Sequence, residues 1–295
     1  MKFIDLFSGI GGFRTGLEMN DHECVAFCEI DKYARQSYKA IYNTDKENEY
    51  HDITSITNEE WAKYRGTVDI IAGGFPCQAF SIVGKRGGFS DTRGTLFFDI
   101  ARAAEQIKPR FLFLENVKGL LSHDKGKTFA TILTTLDEIG YNAEWQVLNS
   151  KDFGVPQNRE RVFIIGHLRG TGGRAVFPVG GEYTTNISDT VKGADFRYDE
   201  GLRIRKNGTS PTLTANNKKM GMDNTDLSNS VYAVFTPYRI RKLTPLECWR
   251  LQGFTDEQFY KAKNSGVSYS QLYKQAGNSV TVNVINEISK RFEVE

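Results

Sequence analysis

At 295 residues the chain can bury a substantial core without disulfide or metal staples, as one large domain or a large domain with a smaller partner. With 39% hydrophobic and 25% charged residues it is neither a disordered nor a fibrous sequence. A formal net charge of +2 argues neither for nor against a polyanionic partner, so the local distribution of charge has to decide.

Residues 2–6 predict the first strand, and Asp5 breaks its apolar character too early for a secretory signal. No later stretch approaches the roughly 18 apolar residues that a membrane-spanning helix needs, so a soluble, cytoplasmic protein is expected. Cys24, Cys28, Cys77 and Cys248 are sparse, and His22, His51, His123 and His167 are scattered. No set has metal-ligand spacing, so no metal is expected, and Cys24 and Cys28 read as buried thiols.

Further strands are predicted over 24–29, 68–72, 110–114, 142–148 and 161–167, with helices over 13–20, 32–41, 96–108 and 127–139 between them. Pro109 and Gly140 fall where helices should end. Strands separated by helices of this length indicate parallel crossovers, hence an α/β fold with a doubly wound, mostly parallel sheet. From about Gly170 the texture changes: residues 171–174 read as a linker, and 180–232 are polar and rich in Asn, Thr, Gly and Ser, which predicts short strands and long loops. Apolar pattern returns over 238–254, and a last helix is predicted over 282–292. The expected organisation is a catalytic and cofactor-binding domain of residues 1–169, completed by 273–295. A small, irregular domain of 170–272 would carry target recognition mainly in 170–238.

Phe3-Ile-Asp-Leu-Phe-Ser-Gly-Ile-Gly-Gly-Phe13 reads as a strand, a glycine loop and a helix start. Parallel sheets bind ligands at the carboxyl ends of their strands, where Gly9, Gly11 and Gly12 would let backbone approach a ligand closely. Arg14 occupies the place where a dinucleotide fingerprint wants glycine or alanine, which weakens a pyrophosphate-binding reading. Glu29, twenty residues after Gly9, can accept hydrogen bonds from ribose hydroxyls, and Asp52 and Ile53 could hold an adenine amino group and ring face. The alternative is a tight turn with solvent-facing acids.

A second constellation begins at Ile71-Ala-Gly-Gly-Phe-Pro-Cys77-Gln-Ala-Phe-Ser81, which puts a thiol just after a strand at the same sheet edge. Cysteine suits conjugate addition to an electron-poor ring, being partly thiolate near neutral pH, although a lone cysteine is often only a packed core residue. Glu115 closes an apolar strand, where poor solvation would raise its pKa and let it donate a proton; a capping carboxylate is the other reading. Arg159 and Arg161 are two apart and lead into a predicted strand, where side chains two apart share a face, so both could point into one site or both could lie exposed.

These blocks resemble the ordered motifs of the cytosine-C5 DNA methyltransferases of the compact bacterial and phage restriction-modification type. The resemblance is carried by Phe7-Ser-Gly-Ile-Gly-Gly12, Phe75-Pro-Cys-Gln78, Glu115-Asn-Val117, Gln157-Asn-Arg-Glu-Arg161, Arg241-Lys-Leu-Thr-Pro-Leu-Glu-Cys-Trp-Arg-Leu-Gln-Gly-Phe254 and Gln275-Ala-Gly-Asn-Ser-Val280. It spans nearly the whole chain and is weakest between about 170 and 235. It implies a Rossmann-like methyltransferase fold and S-adenosylmethionine as cofactor. By the same resemblance, Cys77 corresponds to the nucleophile that adds to C6 of a flipped-out cytosine. Glu115 corresponds to the acid at N3, and Arg161 to the arginine at O2, with Arg159 beside it. Phe7, Glu29, Asp52 and Asn278 fall where the family grips its cofactor, with Gly9, Gly11, Ile30 and Ile53 alongside.

The chemistry agrees: C5 of cytosine is a poor nucleophile until a thiolate at C6 and a proton at N3 make an enamine, which a stacked base does not allow. Residues 81–93, with three glycines and with Lys85, Arg86 and Arg93, read as a loop that closes over DNA or as a plain surface loop. Ser81 belongs to that segment; Val83 is apolar where relatives often place a group that fills the gap left by the base. Arg203, Arg205, Lys206, Lys218 and Lys219 form a stretch without acids that suits phosphates, and Thr212 and Leu213 resemble the Thr-Leu segment of family recognition regions. The partners implied are double-stranded DNA and, where one exists, a cognate restriction endonuclease acting separately; a monomer is expected. Rival readings are a transfer-RNA cytosine-C5 methyltransferase, a catalytically silent DNA-binding relative and, more distantly, a nicotinamide oxidoreductase. The length of the insert and Ser81 favour DNA over transfer RNA.

Overall fold

The computed structural model describes residues 1–76, 96–172, 174–180 and 242–292, together with the backbone of four short strands between 194 and 242. The strands β1 (Lys2–Leu6), β2 (Glu23–Cys28), β3 (Asn48–Tyr50), β4 (Ile70–Gly74), β5 (Phe111–Val117), β6 (Tyr141–Asn149) and β7 (Glu160–Leu168) form one sheet. The helices are α1 (Gly12–Glu18), α2 (Lys32–Ile41), α3 (Asn58–Ala62), α4 (Leu96–Ile107), α5 (Lys127–Glu138), α6 (Pro245–Arg250), α7 (Asp256–Asn264), α8 (Tyr269–Asn278) and α9 (Val282–Ser289). The backbone-only strands β8 (Ala194–Arg197) with β9 (Gly201–Ile204), and β10 (Ala233–Thr236) with β11 (Arg239–Lys242), make two antiparallel pairs. Among the described residues no helix is long and apolar enough to cross a membrane.

Strand order is β3-β2-β1-β4-β5-β7-β6. The first five pair in parallel, as predicted, because each crossover carries a helix or a long connection. β7 runs antiparallel to both β5 and β6, since the chain between Asn149 and Glu160 is too short to cross the sheet and return. β3 is not among the strands given a range from sequence: it is short and polar, and it pairs with β2.

Residues alternate across β1. Ile4 and Leu6 join the core beneath α3, α4 and α5, while Phe3 joins the core beneath α1 and α9. Phe292, just past α9, stacks on Phe111 with ring centroids 4.9 Å apart, which ties the chain's end to the sheet. A third cluster packs Trp249, Phe259 and Leu272 against Ile10 of the glycine loop and Ile41 of α2. Past the predicted linker, Val176 and Val179 enter the core, and their backbone N–H groups donate to the side chains of Glu144 and Gln146 on the edge strand β6.

The sheet changes direction between β1 and β4, whose neighbours lie on opposite sides, and ligands of such sheets bind at that point, outside the strand carboxyl ends. The two strands approach so closely there that a Cβ on Gly73 would lie 2.4 Å from the carbonyl oxygen of Leu6.

Candidate active site

The carboxyl ends of β1, β2, β4 and β5 open into a cavity of about 570 Å³. Its walls include Phe7, Gly9, Glu29, Ile30, Asp52 and Ile53, together with Pro76, Glu115, Arg159, Arg161 and Asn278. Residues from the two constellations read separately in the sequence therefore share one space.

The glycine loop leaves β1 through three left-handed residues, Phe7 (φ 53°), Gly9 (φ 55°) and Gly11 (φ 83°). Phe7 is the costly one, because a side chain in this region loses about 1 kcal/mol. Gly11 is required by a neighbour: a Cβ there would lie 2.4 Å from the ring of Tyr42. Arg14, the departure from the dinucleotide pattern, is buried beneath the loop. It makes a two-pronged ion pair with Glu47, bonds Glu18 through Nε at 2.7 Å, and lies 4.3 Å above the ring of Tyr42.

Glu29 stands one residue past β2. One carboxylate oxygen accepts the N–H of Gly9 and the other that of Asp31, each at 2.8 Å. Burial raises its pKa although both N–H groups favour the charged form. Ile30 is 72% exposed, an uncovered apolar surface beside this carboxylate. The Asp52 side chain caps the short turn Ile53–Ser55, accepting from Thr54 N and Oγ1 on the same oxygen, and Ile53 is buried.

Glu115 and Arg161 meet across β5 and β7. Arg161 Nε lies 2.9 Å from Glu115 Oε1, and both side chains are largely buried. Burial pushes the Glu115 carboxyl above the usual range, and the charges of Arg161 and Arg159 oppose it. Arg159 precedes β7 rather than sharing a strand face with Arg161. Its buried guanidinium donates to the carbonyl oxygens of Ser279 at 2.8 Å and Gly277 at 3.3 Å, the two residues that flank Asn278. This link escaped sequence reasoning, as did Lys274, which lines the cavity and pairs with Asp31 at 2.6 Å.

Cys77, Ser81, Lys85, Arg86, Arg93, Arg205, Thr212 and Leu213 lie outside the described residues, and Arg203 is described as backbone only, on β9. Pro76, the residue before Cys77, is in the cavity wall.

A doubly wound sheet with a strand-end cavity that joins a glycine loop, an acid after the second strand and a buried acid–arginine pair defines an α/β methyltransferase. The profile of the C-5 cytosine-specific DNA methylases matches residues 1–200 and 180–293, and the chain belongs to that family. It is 39% identical to the type II methyltransferase M1.ScrFI of Lactococcus lactis subsp. cremoris, over 98% of this chain and 77% of the relative. It is 38% identical to the type II methyltransferase M.HpaII of Haemophilus parainfluenzae, over 98% of this chain and 88% of the relative. In fold it resembles the crystal structure of S. pombe Dnmt2 methyltransferase, with a TM-score of 0.73, 20% identity and 98% of both chains covered.

Proposed function

We propose that this protein transfers a methyl group from S-adenosylmethionine to C5 of a cytosine flipped out of double-stranded DNA, through a covalent Cys77 adduct. The observation that carries this reading is the single cavity that joins Glu29 and Asp52 to the Glu115–Arg161 pair, with Pro76 leading directly to Cys77.

The residues present fit the cofactor. A volume of about 570 Å³ is in the range of sites that hold a molecule of that size. Glu29 would accept from ribose hydroxyls, Ile30 and Ile53 would flank the adenine, and Asp52 would take its amino group. Phe7, Gly9, Gly11 and Asn278 would hold the amino-acid end. When bound, S-adenosylmethionine supplies an electrophilic methyl group on its sulfonium.

The chain's own residues do the rest. The Cys77 thiolate adds to C6 while Glu115 gives a proton to N3, which makes C5 an enamine carbon. Arg161 holds Glu115 and would reach O2 of the ring. After methylation a water or other base at the site takes the C5 proton, and the electron pair of that C–H bond expels the Cys77 thiolate from C6. N3 gives its proton back to Glu115, and the ring regains its aromaticity. The other cysteines do not compete: burial pushes Cys28, which also lines the cavity, and Cys248 to about 12, and Cys24 well above its ordinary value. Each stays a protonated, unreactive thiol.

DNA would be held by the basic segment 81–93 and by residues 170–238, including Arg203, Arg205, Thr212 and Leu213, through phosphate and base contacts. The type II names of the relatives support a place in restriction and modification, with a separate endonuclease as the cognate partner, and the enzyme would act as a cytoplasmic monomer.

Duplex DNA carrying 5-fluorocytosine at the target position tests the reading. Fluorine cannot leave as the proton does, so the enzyme should remain attached through Cys77, with one methyl group added, only when S-adenosylmethionine is present. An adduct mapped to another cysteine, or formed with transfer RNA and not with DNA, would overturn the reading.

A further inference from the structure

Asn116 stands between Glu115 and the exposed Val117 at the end of β5, and it is itself buried. The register between β4 and β5 runs from Ile70 opposite Phe111 to Gly74 opposite Glu115 and ends there. Beyond that point the carboxamide of Asn116 replaces the ladder. Its Nδ2 donates to the carbonyl oxygen of Phe75 at 2.9 Å, and its Oδ1 accepts the N–H of Val117 at 2.8 Å. Both halves of the planar amide are used, one as donor and one as acceptor.

The chain that leaves β4 needs this hold. Pro76 has no N–H and locks its own φ, so the Phe75 carbonyl is the polar handle by which the strand exit can be fixed. The buried ring of Phe75 also packs against Phe97, with ring centroids 5.6 Å apart. A donor on the Phe75 carbonyl thus fixes the peptide plane that Pro76 continues, and the next residue in the chain is Cys77. The acid Glu115 and this donor are consecutive residues of one strand.

We propose that Asn116 is a positioning residue, which sets the Phe75–Pro76 frame so that the thiol of Cys77 is delivered against the ring that Glu115 protonates. The proposal rests on the reading of Cys77 as the nucleophile. An alanine at 116 leaves the Phe75 carbonyl without its donor. An aspartate keeps the shape and the acceptor for Val117, but turns the donor into a second oxygen that faces a carbonyl until it is protonated.

The test compares the full-length wild-type protein with Asn116→Ala and Asn116→Asp in three measurements. These are the rate of covalent attachment to 5-fluorocytosine duplex, S-adenosylmethionine affinity by calorimetry, and melting temperature. Attachment should slow about 100-fold in both variants, the scale of a small misplacement of a reacting group, with cofactor affinity unchanged. The rate of Asn116→Asp relative to wild type should recover as pH is lowered, because the protonated acid can donate to Phe75 again. Wild-type attachment in Asn116→Asp at high pH would overturn the proposal. So would a parallel loss of cofactor affinity and melting temperature in Asn116→Asp with no recovery at low pH, which marks a structural role alone. Should Asn116→Ala fail to fold, the isosteric aspartate decides. Attachment that survives in Cys77→Ser would instead refute the nucleophile reading, and the positioning proposal with it.

Discussion

Arg161 and Glu115 are diagonal neighbours on adjacent antiparallel strands: Arg161 sits opposite Val117, two residues beyond Glu115, and its Nε lies 2.9 Å from the carboxylate. Burial raises the Glu115 pKa and Arg161 lowers it, so removing the arginine removes a lowering influence and the carboxyl should keep its proton to higher pH. Arg161→Ala should therefore move the alkaline limb of the kcat–pH profile upward and reduce kcat about 100-fold, as for loss of an electrostatic contact in a water-poor site. An alkaline limb that stays in place in Arg161→Ala would show that it does not report on Glu115.

Glu29 differs in that both its oxygens already accept backbone N–H groups, from Gly9 and Asp31. Its raised pKa means that, as pH falls, it takes up a proton above the ordinary carboxylate range. Affinity for S-adenosylmethionine should be full above that pKa and fall as pH drops through it, because a protonated carboxyl accepts ribose hydroxyls and amides less well. Glu29→Gln should bind about tenfold less tightly, the worth of one charge-assisted hydrogen bond, with a flatter pH dependence. Calorimetry across pH would check this, and a steep dependence persisting in Glu29→Gln would assign it elsewhere.

The two glycines at the sheet's change of direction should respond differently to alanine. Gly73→Ala sets a methyl 2.4 Å from the Leu6 carbonyl oxygen, which β1 cannot move without losing its partners. Destabilisation of about 3 kcal/mol is expected, at the upper end for forced overpacking. At Gly9 the nearest atom is 4.0 Å away, but φ is +55°, so Gly9→Ala should cost only about 1 kcal/mol from backbone conformation. Because Gly9 lines the cavity, its methyl would act on cofactor affinity. Urea denaturation of both variants separates the effects; equal losses of stability would contradict the geometry.

Arg14 and Glu47 form a buried pair with side chains 5% and 7% exposed. Glu47→Ala should destabilise the protein by about 3 kcal/mol, since it strips a buried guanidinium of its two-pronged partner, although Glu18 and the ring of Tyr42 still contact that group. Cofactor affinity measured under folding conditions should change little, because neither residue of the pair lines the cavity. A melting temperature unchanged in Glu47→Ala would mean that Glu18 alone compensates.

Local signals were enough for much of the fold. The predicted spans 2–6 and 32–41 coincide with β1 and α2, because strand patterning and the Asp31 cap are set within a few residues. Glu29, Asp52, Glu115 and Arg161 could be named as candidates from residue type and spacing within short motifs, whereas Phe7 and Asn278 could be named only through the resemblance of their motifs to a known family. Tertiary structure alone decided the rest. β3 forms only because β2 offers it an edge, and the direction of β7 follows from a short connection rather than from its own residues. That Phe7 and Glu115 face one cavity depends on strand order, and Asn278, the last residue of α8, reaches it through helix packing and the bonds of Arg159 to its two neighbours. The bonds from Arg159 to Gly277 and Ser279 and from Asn116 to Phe75 left no mark in the sequence, because each ends on a backbone carbonyl. Every residue carries that same group, so only the folded chain determines which carbonyl comes within reach.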